Sequence, residues 1–564
     1  SSSRLGCRRG NIILVATGHA LLAMTTPSIA GSPLPDQAFS DAHGEASGGR
    51  ASKADEPCAL RVRRPAGEVV VELFEKDLHD LRAGGLRERV CQIFSGERPV
   101  GAKLLVAMRE LEEAEMLLPL AQGNEPLEVM AVAFALPAID TSTAPVDQLA
   151  TLYEMVCCEY YADVQLEGAR HIRKMLSASA GPPNDAVIDA GLVAPLVGLC
   201  QSVRGAELRH EALWALTNLA SGSSEHTNAV VQAGAVPFFI EALGSSSTEL
   251  QEQAIWGLGN VAGDSANFRD LLLRAGLAEQ LASVISAPDG MPIGLQRISA
   301  WTLSNLVRHM PRPSWEAAAP LIPAMHILLS KEDAESLTDA LWVVFYLVGC
   351  DAERTVAIFG PTLAAMLDKD DAKVRVPVVR AVGEIVSGDG MEVDAILSCG
   401  VLPKLIPLLS PGHHKLHKDI CWIVSNCFAG TQSQVQQVIE SGLLAGMLEL
   451  CAGDLPWPVM KEISFACVNL ADDGSDDQAL QFIKLGGIGA LSVCVSACVA
   501  HLGDSELTSR LLHACFRFLS HVQSHLEMYD LLDGPSLRYA VGQARLRMDR
   551  ECPELEKIEA ALDA

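Results

Sequence analysis

The chain has 564 residues, which at roughly 100–200 residues per domain means several globular domains or one long repetitive array. An apolar content of 49% excludes wholesale disorder, and 5% aromatics, with Leu, Ala and Val supplying the apolar mass, favours helices over β-sandwiches. With 43 basic against 70 acidic residues the net charge is −27, so the chain is a poor grip for a phosphate backbone and nucleic acid is not an expected partner.

In chain order, residues 1–67 read as a flexible arm. Arg8 and Arg9 precede an apolar run from Asn11 to Met24 that loosely resembles a secretory signal, although His19 interrupts it and the chain starts at Ser1 rather than Met. The stretch from 25 to 67 is rich in Gly, Ser and Pro. Residues 68–145 carry helical patterns without an evident role, clearest from Leu104 to Leu118. Later stretches are too short to span a bilayer, so no membrane partner is expected. The first hundred residues hold 13 basic and 12 acidic side chains, which leaves 30 and 58 for the remainder. The acidic excess thus belongs to the long C-terminal body, which would draw cationic partners.

That body, residues 146–525, repeats itself. A small residue and Gly followed by apolar residues recurs at Gly191, Gly234, Gly276, Gly400 and Gly442, spaced 43, 42, 124 and 42 apart, and a weaker member at Gly360 divides the long gap into 84 and 40. A second phrase opens at Trp214, Trp256, Trp301, Trp342 and Trp422, with degenerate members at Arg380 and Phe465; its steps are 42, 45, 41, 38, 42 and 43. A helical period near 42 predicts an all-α fold, a right-handed superhelical solenoid of about nine or ten armadillo repeats. The recurrent Gly is expected to break the chain before a long helix. Residues 526–564 are left as a C-terminal tail.

In the second phrase Trp and Asn stand four apart, as in Trp214–Asn218, Trp256–Asn260 and Trp301–Asn305, so both lie on one helix face. An unpaired amide repeated through successive cores would be costly, which predicts that this face is exposed along the inner wall of the superhelix. An Asn amide matches the N–H and C=O of an extended peptide whatever its sequence. Parallel indoles make slots for Lys or Arg stems, with cation–π attraction of about 0.5–2 kcal/mol each. Three intact units suit a basic stretch of roughly five to eight residues.

Enzyme chemistry lacks motifs. The 16 cysteines form no CxxC pair and several lie inside apolar helical runs, as buried small hydrophobes do. His413, His414 and His417 cluster between repeats without a further ligand set. No catalytic residue, metal or cofactor is expected.

These phrases resemble importin alpha, the armadillo adaptor family that carries cargo bearing nuclear localisation signals between cytoplasm and nucleus. The resemblance runs from about Leu166 to at least Gly487 and is densest in Ala212–Gly222, Glu252–Asp264 and Trp301–Leu306. It implies a major peptide site at Trp214, Asn218, Ser221, Gly222, Thr227, Gln253, Trp256, Asn260, Asp264, Trp301 and Asn305, with Asp264 as the carboxylate that meets the most deeply held lysine. It implies a minor site at Arg380, Lys418, Asp419, Trp422, Asn426, Glu462, Phe465 and Asn469. There Asp419 stands for Glu, Phe465 for Trp, and Glu384 for an Asn, leaving Glu384 to pair with Arg380. The family's basic arm, which recruits importin beta and competes with cargo, has only Arg61-Val-Arg-Arg64 and the scattered Arg82, Arg87 and Arg89 to match it. Importin beta therefore stays open as a partner. The alternative is an armadillo scaffold that binds other extended peptides without an import role.

Overall fold

The computed structural model describes strands within residues 58–135, Leu86 between them, and residues 138–563 apart from short gaps. The signal-like run and most of the expected arm lie outside the described residues. The chain divides into two compact units, Ser1–Leu136 and Pro137–Ala564.

The first unit holds a five-stranded mixed sheet. Its strands are β1 (Cys58–Arg63), β2 (Val69–Phe74), β3 (Val100–Val106), β4 (Arg109–Glu110) and β5 (Leu127–Ala135), in the order β2-β1-β5-β3-β4. β1 and β2 form an antiparallel hairpin, β1 runs parallel to β5 at the centre, and β3 returns antiparallel to β5. Leu86, helical and fully buried, lies in the connection between β2 and β3. The helical reading of residues 68–145 is therefore corrected, and β1 is removed from the arm. Central strands apolar on both faces lose the period-two alternation that marks a strand. β5, Leu-Glu-Val-Met-Ala-Val-Ala-Phe-Ala, is such a case, and Leu104 and Leu105 pair with it rather than starting a helix.

The second unit is the expected all-α repeat solenoid. Its nine described long helices are α1 (Ala162–Leu176), α2 (Ala206–Ala220), α3 (Thr248–Asp264), α4 (Ile293–Asn305), α5 (Ala334–Val348), α6 (Ala372–Val386), α7 (His414–Phe428), α8 (Trp457–Asp473) and α9 (Ser505–Ser524). Each packs on the next, because no unit can bury its apolar stripe alone. The residues beside each ladder position, among them Leu216, Leu258, Leu303, Val343, Val382 and Ile423, are fully buried between them.

The recurrent glycines have positive φ at 191, 234, 276, 400, 442 and 486, the region that a Cβ makes costly. They precede the second short helix of a unit, such as Leu277–Ile285 or Leu443–Leu450, and not the long one. Gly360 differs: the helix Ala352–Met366 runs through it. A Cβ there would stand 3.0 Å from Cys399 Sγ, a close approach that the sulfur would have to yield to. The array also continues past residue 525. Helices Gly534–Arg547 and Pro553–Asp563 bury Leu537, Val541, Ala544 and Ile558 against Gly487–Ala500 and α9.

Candidate functional site

Trp214, Trp256, Trp301, Trp342, Trp422 and Phe465 occupy equivalent turns of α2, α3, α4, α5, α7 and α8. Trp256 is 38% exposed and the others are half-buried. The ring of one repeat rests on the helix before it. A Cβ on Gly259 of α3 would lie 2.3 Å from Trp301 Cζ3, and one on Gly383 of α6 would lie 2.4 Å from Trp422 Cζ3. Only glycine seats the next indole there. The sequence reading missed both glycines; the signal was the small residue just before the Asn position of the phrase (Thr217, Gly259, Ser304, Gly383, Ser425).

The asparagines are tied to the same seams. Asn260 Nδ2 donates to the Thr217 carbonyl at 3.1 Å, Asn305 Nδ2 to the Gly259 carbonyl at 3.0 Å, and Asn469 Nδ2 to the Ser425 carbonyl at 2.9 Å. Asn218 Nδ2 donates to Ser177 Oγ at 2.9 Å. The expectation that burial would orphan these amides is corrected: Asn305 and Asn469 are buried, and one N–H reaches the preceding helix. That bond fixes the amide plane. Asn305 Oδ1 and Asn426 Nδ2 are buried and remain without partners among the described residues.

The acceptor end lies at the C-terminus of α2 and α3. Asp264 Oδ1 accepts from Ser224 Oγ at 2.7 Å, and Ser221 Oγ donates to the Asn218 carbonyl at 2.8 Å, which leaves lone pairs on the Ser221 oxygen. Thr227 is buried and donates to the Ala220 carbonyl at 3.1 Å. Gly222 admits no side chain, since a Cβ would meet His226 Nδ1 at 2.3 Å. Gln253 is buried with Oε1 unpartnered. Oxygens without protons to give suit an ammonium, which has three donors and no acceptor.

Four neighbouring residues escaped the sequence reading. The Arg173 guanidinium sits 4.3 Å from the Trp214 ring and pairs with Glu211 at 2.8 Å, so the chain fills one side of its own first slot. On α5, burial and then nearby Glu335 push the Asp339 carboxyl up to about 7; its signal was an acid three residues before Trp342. Arg308 donates to the Gly263 carbonyl at 2.7 Å, and Arg312 lies 4.7 Å over the Tyr346 ring.

Toward α8 the arrangement changes. Arg380 pairs with Asp419 of α7 at 3.3 Å and lies 5.5 Å over Trp342. The expected Arg380–Glu384 pair is thus corrected: the side chain reaches along the stack to the next helix. Glu384 is exposed, and its carboxyl is raised by desolvation, with Arg312 opposing. Lys418 is exposed. Glu462 is buried and pushed up to about 7 by that burial, against the pull of Lys418 and Lys461. Lys461 Nζ stands 5.7 Å over the Phe465 ring. His417 is buried with Nε2 at 3.0 Å from the Ser410 carbonyl. Among the described residues no group of three or more His, Cys, Asp or Glu is placed to hold a metal.

Residues 183–221, 223–263 and 392–429 match the Armadillo/beta-catenin-like repeat family. Importin subunit alpha-1a of Oryza sativa subsp. japonica is 35% identical over 352 residues, 61% of this chain and 65% of that protein. Importin subunit alpha-3 of Arabidopsis thaliana is 36% identical over 46% of this chain and 49% of its own length, and importin subunit alpha-B of Dictyostelium discoideum is 38% identical over 40% and 45%. The chain thus spans about half to just under two thirds of these relatives. A crystal structure of an engineered protein aligns with 75% of this chain and 100% of its own, at TM-score 0.61 and 22% identity, a likeness of fold alone.

Proposed function

We propose that the chain, which is similar to importin subunit alpha proteins at 35–36% identity and carries armadillo repeats, is a nuclear-import adaptor of that family, not an enzyme, which holds the Lys/Arg-rich localisation signals of cargo proteins and shuttles with them between cytoplasm and nucleus. The observation that carries this reading is the ladder from α2 to α4. Indoles seated on the preceding helix alternate with amides whose planes are fixed by one N–H, and the ladder ends at the oxygens of Asp264 and Ser221. A peptide running across these helices meets amide partners for its backbone and ring walls for its aliphatic stems. Its ammonium groups meet acceptors. The acidic body adds long-range steering of a cationic peptide.

The test is calorimetry of the whole chain with a lysine-rich signal peptide and with a control of the same composition whose lysines are dispersed among acids. The expected result is low-micromolar affinity or better for the first and at least tenfold weaker binding of the second. Equal affinities would leave only nonspecific charge attraction.

A further inference from the structure

The oxygens offered to a peptide lysine sit on a turn, residues 221–224, between α2 and the helix Ser224–Gln232. Groups carried on a turn are placed less sharply than groups on a helix unless a neighbour locks them. Here the neighbour is His226. The Ser223 N–H donates to His226 Nδ1 at 3.0 Å, and Asn184 Nδ2 lies 3.2 Å from the same nitrogen. A backbone N–H only donates, so Nδ1 accepts and the ring proton sits on Nε2, which donates to Asp185 Oδ1 at 2.7 Å. The ring is thus tied to the turn on one side and to the preceding repeat, the helix Asn184–Asp189, on the other. It also lies directly beneath Gly222, where a Cβ would run into Nδ1.

The chain holds its own comparison. Gln434 and Gln478 occupy the same place in their helices, three residues after the N-cap. The Thr431 N–H donates to Gln434 Oε1 and the Ser475 N–H to Gln478 Oε1, both at 3.0 Å, as a capping box requires. Both side chains also reach back one repeat: Gln434 Nε2 donates to Asp394 Oδ1 at 2.8 Å, and Gln478 Nε2 to the Gln432 carbonyl at 2.7 Å. His226 therefore does with an imidazole what the other two do with an amide. Its turn has a further load. Ser224 follows the held Ser223, and its Oγ donates to Asp264 Oδ1 at 2.7 Å, so a shift at Ser223 passes to the carboxylate on α3.

We propose that His226 is a positioning residue of the peptide groove. It acts through the turn, keeping Ser221, Gly222 and, by way of Ser224, Asp264 where the ammonium of a bound lysine arrives. The inference rests on the reading of α2–α4 as a site for basic signals.

Calorimetry of the full chain with a lysine-rich single-cluster peptide tests it, with circular dichroism for the thermal midpoint. His226→Ala removes the acceptor for Ser223 and should weaken binding about fivefold or more, the size of a lost helix cap. Gln478→Ala removes the matching cap after α8; it should lower the midpoint comparably and leave affinity unchanged. His226→Gln supplies the acceptor that the other two caps use and should restore binding. In an Asp264→Ala background, His226→Ala should have little further effect, because the two act on one ammonium. Equal effects of His226→Ala and Gln478→Ala on affinity, or binding by His226→Gln no better than by His226→Ala, overturn the proposal and leave the groove reading standing. Failure of the unmodified chain to bind the peptide overturns that reading first, and this proposal with it.

Discussion

Asp264 offers one carboxylate oxygen to Ser224 and, in the proposed function, the other to a peptide ammonium. Replacing it with Lys puts a cation where an ammonium should arrive. Losing such a pair costs about 2–5 kcal/mol, or roughly 30- to 3,000-fold in affinity. Asp264→Lys should weaken a single-cluster basic peptide by that factor and leave the thermal midpoint unchanged, as read by calorimetry and circular dichroism. Asp339 adds a pH signature. Its carboxyl titrates near about 7 because burial disfavours the charge, whereas an unfolded Asp titrates at about 3.9. A raised native value means that the protonated form favours folding: this contribution is whole below about pH 4 and is lost as pH rises to about 7. An arriving cation favours the ionised form. Affinity for a basic peptide should therefore rise between pH 6 and pH 8 with proton release, and Asp339→Asn should flatten that rise. A pH-independent affinity in the unmodified protein would remove Asp339 from the groove.

At the scale of the helix, the ladder depends on spacing between neighbours. A Cβ on Gly259 would enter the Trp301 ring and also lie 2.6 Å from Thr302 Oγ1, while the Gly259 carbonyl holds Asn305. Gly259→Ala should cost about 1–3 kcal/mol by overpacking and weaken peptide binding as the ring and amide shift. Gly542→Ala, inside the helix Gly534–Arg547 with nothing within 4 Å, should instead raise stability by about 0.5–1 kcal/mol. Urea titration of both variants compares them directly. The Trp and Asn positions were legible in the sequence because a period near 42 repeats them regardless of local packing. Gly259 was not, since its role appears only when the next repeat lands on it. Arg173 was hidden for the same reason, as nothing in α1 alone says that its guanidinium will cover Trp214. The first unit misled for a different reason. Leu104–Val106 and β5 are rich in Leu, Ala and Met, which favour helices in isolation, and strand pairing across sequence-distant segments overrode that preference.

Across the whole molecule the two halves of the groove are unequal. The α2–α4 half keeps three Trp/Asn pairs, whereas the α6–α8 half has Arg380 and Glu384 on α6 and Phe465 in place of a Trp on α8. Trp256→Ala should therefore weaken a two-cluster basic peptide much more than Phe465→Ala does. The reverse order in calorimetry would show that the second half dominates. Competition from the chain's own N-terminus is a separate matter. An inhibitory arm must be extended and free to lie along the ladder, with a run of cations to seat. Arg61 and Arg63 instead belong to β1, whose residues are paired on one side with β2 and on the other with β5. Releasing them would require breaking the pairing on both sides of β1, and two arginines at about 0.5–2 kcal/mol each would return little. Arg61 and Arg63 should consequently not compete for the groove. Signal-peptide affinity should be the same for the whole chain and for residues 137–564, the second compact unit. A gain of tenfold or more on removing residues 1–136 would mean that this region does compete for the groove, and the reading of β1 as a fixed strand would have to be abandoned.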